Sequence, residues 1–252
     1  TIVASIINLA LKLWAMKKYK GRPFEDYRAM AKLDKSTVRQ IFKWGAPISI
    51  ESALFTSLFM VVTRLVADFG EGALAAQRVG SQVESLAWMM AGGFSSAVTA
   101  FMGQNFGARK FGRMRKAYGV SLVAMGSYGL LVGIVLFTFA RPLIGIFLDN
   151  PEYISMGVDY LRVFAFTQVL FCMEEVAAGS FRGRGLTYKP TIVSVTCNVL
   201  RVVFAYSLAL FTPLGLNGVW VGIAISVTIR SVWMLVWYKI NMAKKLPKVD
   251  AN

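Results

Sequence analysis

The sequence predicts an all-α polytopic membrane protein, a helix bundle. Two observations carry that expectation. Six apolar segments fall near residues 45–67, 73–103, 118–139, 153–180, 190–212 and 215–238, each about 20 residues or more, enough to cross a hydrocarbon core of about 30 Å. The basic residues then alternate with the connectors: 22 of the 28 lie on one side if every segment spans. The composition agrees, since 56% of the 252 residues are hydrophobic, too many for an ordinary soluble domain.

The chain opens with an apolar run, Ile2 to Met16, too short for a full span and without the charged start and cleavage site of a signal peptide. Residues 1–16 are therefore expected to be the end of a helix whose beginning lies upstream, which makes the chain a fragment. Residues 17–44 mix charges with Tyr27, Phe42 and Trp44 and predict a cytoplasmic linker, with a short amphipathic helix near Lys35–Trp44 at the membrane interface. A plain connector and a site for anionic lipid are both open there. Spans A to F follow within 45–240, and 241–252 is a tail. Ser121 to Ala140 carries no charge, so no face of span C suits water. Asp68-Phe69-Gly70, Asn150-Pro151, Arg184-Gly185 with Pro190, and Pro213-Leu214-Gly215 are the breakers that end spans.

Charge fixes the orientation. Ten basic residues precede span A, five lie between B and C (Arg109, Lys110, Arg113, Arg115, Lys116), three between D and E (Arg182, Arg184, Lys189) and four in the tail (Lys239, Lys244, Lys245, Lys248). The opposite connectors carry Asp68, Glu71, Asp149 and Glu152 with Arg141. The basic side, and with it the C-terminus, is expected in the cytoplasm. Topology thereby accounts for the net charge of +15, and nucleic acid is not expected as a partner; the lipid bilayer is. The chain has no His and no metal-ligand spacing, and its cysteines, Cys172 and Cys197, lie in apolar runs as small hydrophobes. No catalytic arrangement is recognisable, so no enzyme is expected; an intramembrane enzyme and a non-transporting scaffold are the readings from other classes.

Charges inside spans are costly, so each must face protein, a partner charge or a cavity. Arg64 with Asp68, and Asp159 with Arg162, are spaced for interfacial pairs. Glu51, just after Pro47, and the doublet Glu174-Glu175 all sit roughly 10 Å inside the basic end. Arg201 and Arg230, with Asn198 nearby, could complete one polar cluster. Arg78 and Glu84, with Gln82 between them, lie in the outer half of span B on different faces. Glu175 shares a face with Gln168 and Arg182, and is expected to reach Arg182. Glu174 shares its face with apolar residues, so it is either the ion-responsive carboxylate or a link to another helix. Pro47, Gly92-Gly93 and Ala177-Ala178-Gly179-Ser180 mark places where helices bend or approach closely.

Several stretches carry a resemblance. GAPISIESALFTS (Gly45–Ser57) is similar to the start of the seventh helix of the multidrug and toxic compound extrusion (MATE) transporters. The run Phe69–Ala108, ending GQNFGA, resembles their eighth helix and its loop. YLRVFAFTQVLFCMEEVAAGSFRGRG (Tyr160–Gly185) resembles the tenth, and VLRVVFAYSLA (Val199–Ala209) the eleventh. The resemblance implies one six-helix lobe of a twelve-helix, two-lobed fold, with the N-terminal lobe as its missing partner. It also implies export of cationic small molecules through the cleft between lobes, in exchange for Na⁺ or H⁺, from a plasma membrane such as the bacterial inner membrane. No other cofactor is implied. Many members use carboxylates of helices seven and ten for the coupling ion, which makes Glu51 and Glu174/Glu175 the candidates, with Na⁺ at Glu51/Glu174 as the possible metal. Many also carry the helix-seven carboxylate one turn deeper, where this chain has Phe55. A lipid-linked oligosaccharide flippase of the same superfamily is the alternative.

Overall fold

The computed structural model describes residues 6–11, 14 and 35–245. The chain divides into two compact units, residues 1–43 and 44–252. In the first, residues 6–11 are helical and 35–43 open the first long helix. Most of the expected remnant helix (1–16), the linker up to residue 34 and the tail from 246 lie outside the described residues.

Eight helices follow in order: α1 (Lys35–Ala67), α2 (Glu71–Gly107), α3 (Phe111–Thr138), α4 (Ala140–Gly145), α5 (Pro151–Ala165), α6 (Gln168–Gly183), α7 (Tyr188–Phe211) and α8 (Leu216–Lys245). Among the described residues there is no strand. By length and composition α1, α2, α3, α7 and α8 can each cross a membrane, and α5 with α6, bent by 51°, would make a sixth crossing if the pair is one span. This is a polytopic helix bundle, as expected.

Three differences from the expectation have physical reasons. Residues 35–44 are not a separate helix: α1 runs from Lys35 to Ala67 straight through Pro47. The sequence there has no Gly or Pro pair strong enough to stop a helix before Gly45. The short α4 was not expected, because Arg141 reads as part of the connector after the span at 118–139. The Phe139 N–H donates to the Val135 carbonyl at 2.9 Å, which closes α3 immediately before α4 begins. Asn150-Pro151 does start a helix: Pro151 occupies the first turn and the Asn150 side chain accepts from the Glu152 N–H at 2.9 Å.

The third difference positions the site. Span D, expected as one helix over 153–180, breaks between Ala165 and Gln168 with no Pro or Gly present. The Thr167 hydroxyl and N–H both donate to the Phe164 carbonyl, at 2.8 and 3.0 Å, which closes a tight turn and draws that carbonyl from the helical ladder. Helix α3 accepts the break through Gly129 and Gly133, four residues apart. A Cβ at either would come within 2.7 Å of the Gln168 or Ala165 carbonyl oxygen. Similar pairs of small residues bring α6 onto α2 (Gly179, Gly183) and α8 onto α7 (Gly218, Gly222), where an added Cβ would meet backbone or side chain at 2.4 to 2.7 Å.

Two apolar clusters hold the bundle. One joins Val62, Val66, Ile144, Leu161, Phe164 and Trp220; the other joins Met102, Met114, Phe181, Val193, Met234 and Tyr238. Cys172 and Cys197 are buried free thiols in the second. Phe171, just after the break, packs against both clusters.

Candidate functional site

A cavity of about 300 Å³ opens beside Phe171. Helix α1 gives it Phe55 and Phe59, α2 gives Gln77, Glu84 and Trp88, α5 gives Tyr160, α6 gives Phe171 and Glu175, α7 gives Arg201, and α8 gives Arg230. The bend between α5 and α6 lets both halves of one span face it. Six aromatic side chains therefore line the walls, with two carboxylates and two guanidiniums among the rest.

Glu84 is 2% exposed. One of its oxygens accepts from the Gln168 amide at 2.8 Å and the other from the Tyr160 hydroxyl at 3.1 Å. Both donors are neutral, and both come from the bent span. No ion pair within 4.0 Å engages Glu84 among the described residues. Glu174 is equally buried but differently held. The Arg230 Nε lies 2.9 Å from one oxygen, and the Ser231 hydroxyl donates to the other at 2.8 Å. This is the link between helices that was one of its two expected roles, tying α6 to α8. Glu175 is half-buried, lies 3.9 Å from Arg182 and also lines the cavity. The predicted reach to Arg182 is present, but it is Glu175 and not Glu174 that meets the open space. The reason is helical phase: the apolar face of α6 that carries Glu174 is the face that packs.

Glu51 lies apart from Glu84. Its carboxylate accepts from the Thr191 hydroxyl at 3.1 Å. It lines a smaller pocket with Ser52, Arg182, Asn198 and Arg230. Of the expected cluster, Glu51 and Arg230 share this pocket with Asn198, whereas Glu175 and Arg201 face the main cavity, Arg201 with its guanidinium 5.4 Å from the Phe55 ring centroid. Arg230 and Phe55 line both spaces. Arg78 and Gln82 are exposed and line a second recess with Met60 and Thr63, which shares Phe59 and Gln77 with the main cavity. Arg64 and Asp68 form no ion pair within 4.0 Å, nor do Asp159 and Arg162; Arg162 instead lies 5.5 Å over the Phe137 ring. Exposed pairs of this kind gain little from contact, so solvent competes well.

No group of three or more His, Cys, Asp or Glu side chains gathers among the described residues. A Na⁺ shared by Glu51 and Glu174 would compete with the Arg230 guanidinium for Glu174. Chemically, the cavity offers a buried carboxylate with neutral donors, ringed by Phe55, Trp88, Tyr160 and Phe171: a suitable environment for an organic cation. Tyr160, Ser231 and Thr191 were not singled out from the sequence, and Gln168 was named there only as sharing a face with Glu175. A polar residue within an apolar span was the signal for each, but partner helices must be known to use it.

The MatE family model matches residues 47–207. "Probable multidrug resistance protein NorM" of Neisseria meningitidis is 30% identical over 233 residues, covering 91% of this chain and 50% of that protein. The protein of the same name from Thermotoga maritima is 26% identical over 243 residues, covering 94% of this chain and 51% of that one. The chain thus spans about half the length of the curated relatives it matches. The outward-facing structure of a multidrug resistance MATE family transporter of the MOP superfamily superposes with a TM-score of 0.84 at 20% identity, over 95% of this chain and 54% of that one. An inward-facing structure of the same description gives 0.71 at 22% identity, over 87% and 51%. A lobe of the same fold, the assembled carboxylates and the match over most of the length lead to one conclusion: the chain belongs to the MatE family.

Proposed function

We propose that this chain is the C-terminal six-helix lobe of a secondary transporter that exports organic cations in exchange for Na⁺ or H⁺. The observation that carries the reading is the cavity in which Glu84, 2% exposed and held only by neutral donors, faces aromatic walls. The names of the relatives, probable multidrug resistance proteins, support it. A second lobe of similar size would face this one across the cleft, and residues 45–240 would form the transmembrane part. The positive-inside asymmetry supports a cytoplasmic C-terminus, in a plasma membrane such as the bacterial inner membrane. Export of this kind needs no covalent step, so the protein is read as a transporter and not an enzyme. A lipid-linked oligosaccharide flippase would want a mostly cationic cavity; here Glu84 and Glu175 balance Arg201 and Arg230.

The test is efflux of a cationic dye from vesicles containing the full-length protein, driven by a Na⁺ or by a proton gradient. Glu84→Gln and Glu51→Gln are expected to lose most coupled efflux. Unchanged coupled efflux in both would overturn their roles, and efflux insensitive to either gradient would overturn the antiport reading.

A further inference from the structure

A separate cavity, of about 490 Å³, opens at the basic end of the bundle, where α6 gives way to α7. Trp44 and Ile48 of α1, Phe106 of α2, and Arg182 and Arg184 at the end of α6 line it. It has no residue in common with the main cavity, and Ile48 and Arg182 also border the Glu51 pocket. No carboxylate lines it among the described residues. Its two guanidiniums are incompletely satisfied. The Nε of Arg182, and the Nε and Nη1 of Arg184, are buried without a hydrogen-bond partner. Arg182 lies 3.9 Å from Glu175, beyond hydrogen-bond distance. Arg184 has no ion pair within 4.0 Å among the described residues. Its guanidinium lies 5.7 Å from the Phe106 ring centroid, and its buried neighbour Tyr238 is a neutral phenol.

Buried donors without acceptors are costly, and an anionic oxygen removes the cost. Two guanidiniums side by side suit a group with several acceptor oxygens, and phosphate matches the arginine fork. The other walls name the carrier. An indole, an isoleucine and a phenyl ring gain nothing from a free phosphate ion, whereas glycerol and acyl carbons attached to the phosphate would cover them. Trp44 is 43% exposed at a helix end, the level at which tryptophan meets lipid headgroups. Two positive charges and no negative one favour a phosphodiester that carries no ammonium group. We propose that this cavity binds the headgroup phosphate of an anionic phospholipid from the leaflet on the basic side. Arg182 and Arg184 hold the phosphate, and Trp44 and Phe106 lie beside its glycerol.

The test is titration of the detergent-solubilised full-length protein with phosphatidylglycerol or phosphatidylcholine, read by native mass spectrometry. The wild-type protein is expected to hold its first phosphatidylglycerol about tenfold more tightly than phosphatidylcholine. Arg184→Gln and Arg182→Gln should each weaken phosphatidylglycerol about tenfold, the effect of one charge-assisted hydrogen bond, and remove the preference. Arg113→Gln removes the same charge from an exposed position outside the cavity and should change neither lipid. Arg182 is partly exposed, so its variant decides the matter even if Arg184→Gln does not fold. Equal affinity of the wild-type protein for the two lipids overturns the inference. So does retention of phosphatidylglycerol by either folded variant, or an equal loss in Arg113→Gln. Inorganic phosphate that displaces the bound phosphatidylglycerol assigns the site to a soluble phosphate and overturns the lipid as its source.

Discussion

Glu84 and Glu174 are both 2% exposed, both in membrane-spanning helices, and held in opposite ways. Glu174 meets a guanidinium at 2.9 Å and a hydroxyl at 2.8 Å, which completes a bridge between α6 and α8. Glu84 meets an amide and a phenol beside an open cavity, and no guanidinium lies within 4.0 Å of it among the described residues. Burial alone therefore does not distinguish the two carboxylates; the charge of the partner does. A carboxylate that is already paired gains little from an incoming cation, and one that is not paired gains much.

Matched substitutions can break this comparison. The largest effect is expected for Glu174→Gln, which leaves Arg230 buried without its counter-charge: a loss of about 3–5 kcal/mol, read as a lower melting temperature of the solubilised full-length protein. Combining it with Arg230→Met should restore much of that loss. Gly129→Val is next, at about 1–3 kcal/mol by the same readout, because its Cβ would meet the Gln168 carbonyl at 2.7 Å and force apart α3 and the bend that supplies both donors to Glu84. Glu84→Gln should cost only about 1 kcal/mol of stability, since Tyr160 and Gln168 remain to bond the amide, while substrate efflux from vesicles collapses. Equal melting shifts for the two Glu→Gln variants would erase the distinction drawn between them. The smallest effect belongs to Arg182→Gln: its partner Glu175 is 3.9 Å away and partly exposed, so stability should move by less than about 1 kcal/mol.

The fold was largely legible because hydropathy measures one thing, the length of chain that must avoid water. Spans predicted at 73–103 and 190–212 are helices at Glu71–Gly107 and Tyr188–Phe211. The break at Ala165–Gln168 was not legible, because its cause is one hydroxyl turned back on the Phe164 carbonyl and a pair of glycines, Gly129 and Gly133, far earlier in the chain. Helix α3 did carry a signal in Gly129 and Gly133 at a spacing of four. For the site, helical phase and depth marked which residues are buried, and Glu84, Glu174 and Arg201 were found that way. Phase within one helix says nothing about how neighbouring helices are rotated. That is why the doublet came out in the other order, with Glu175 at the cavity.

Arg230 has one further consequence. Its guanidinium borders both the main cavity, with Glu84 and Arg201, and the smaller pocket, with Glu51 and Asn198. Two compartments with a wall in common cannot be filled independently if that wall moves. Any occupant of the Glu51 pocket that pulls Arg230 towards itself alters the field felt in the main cavity. Thermodynamic reciprocity then requires an occupant of the main cavity to alter the smaller pocket's affinity by the same factor. One arginine is enough to make two sites a single linked equilibrium.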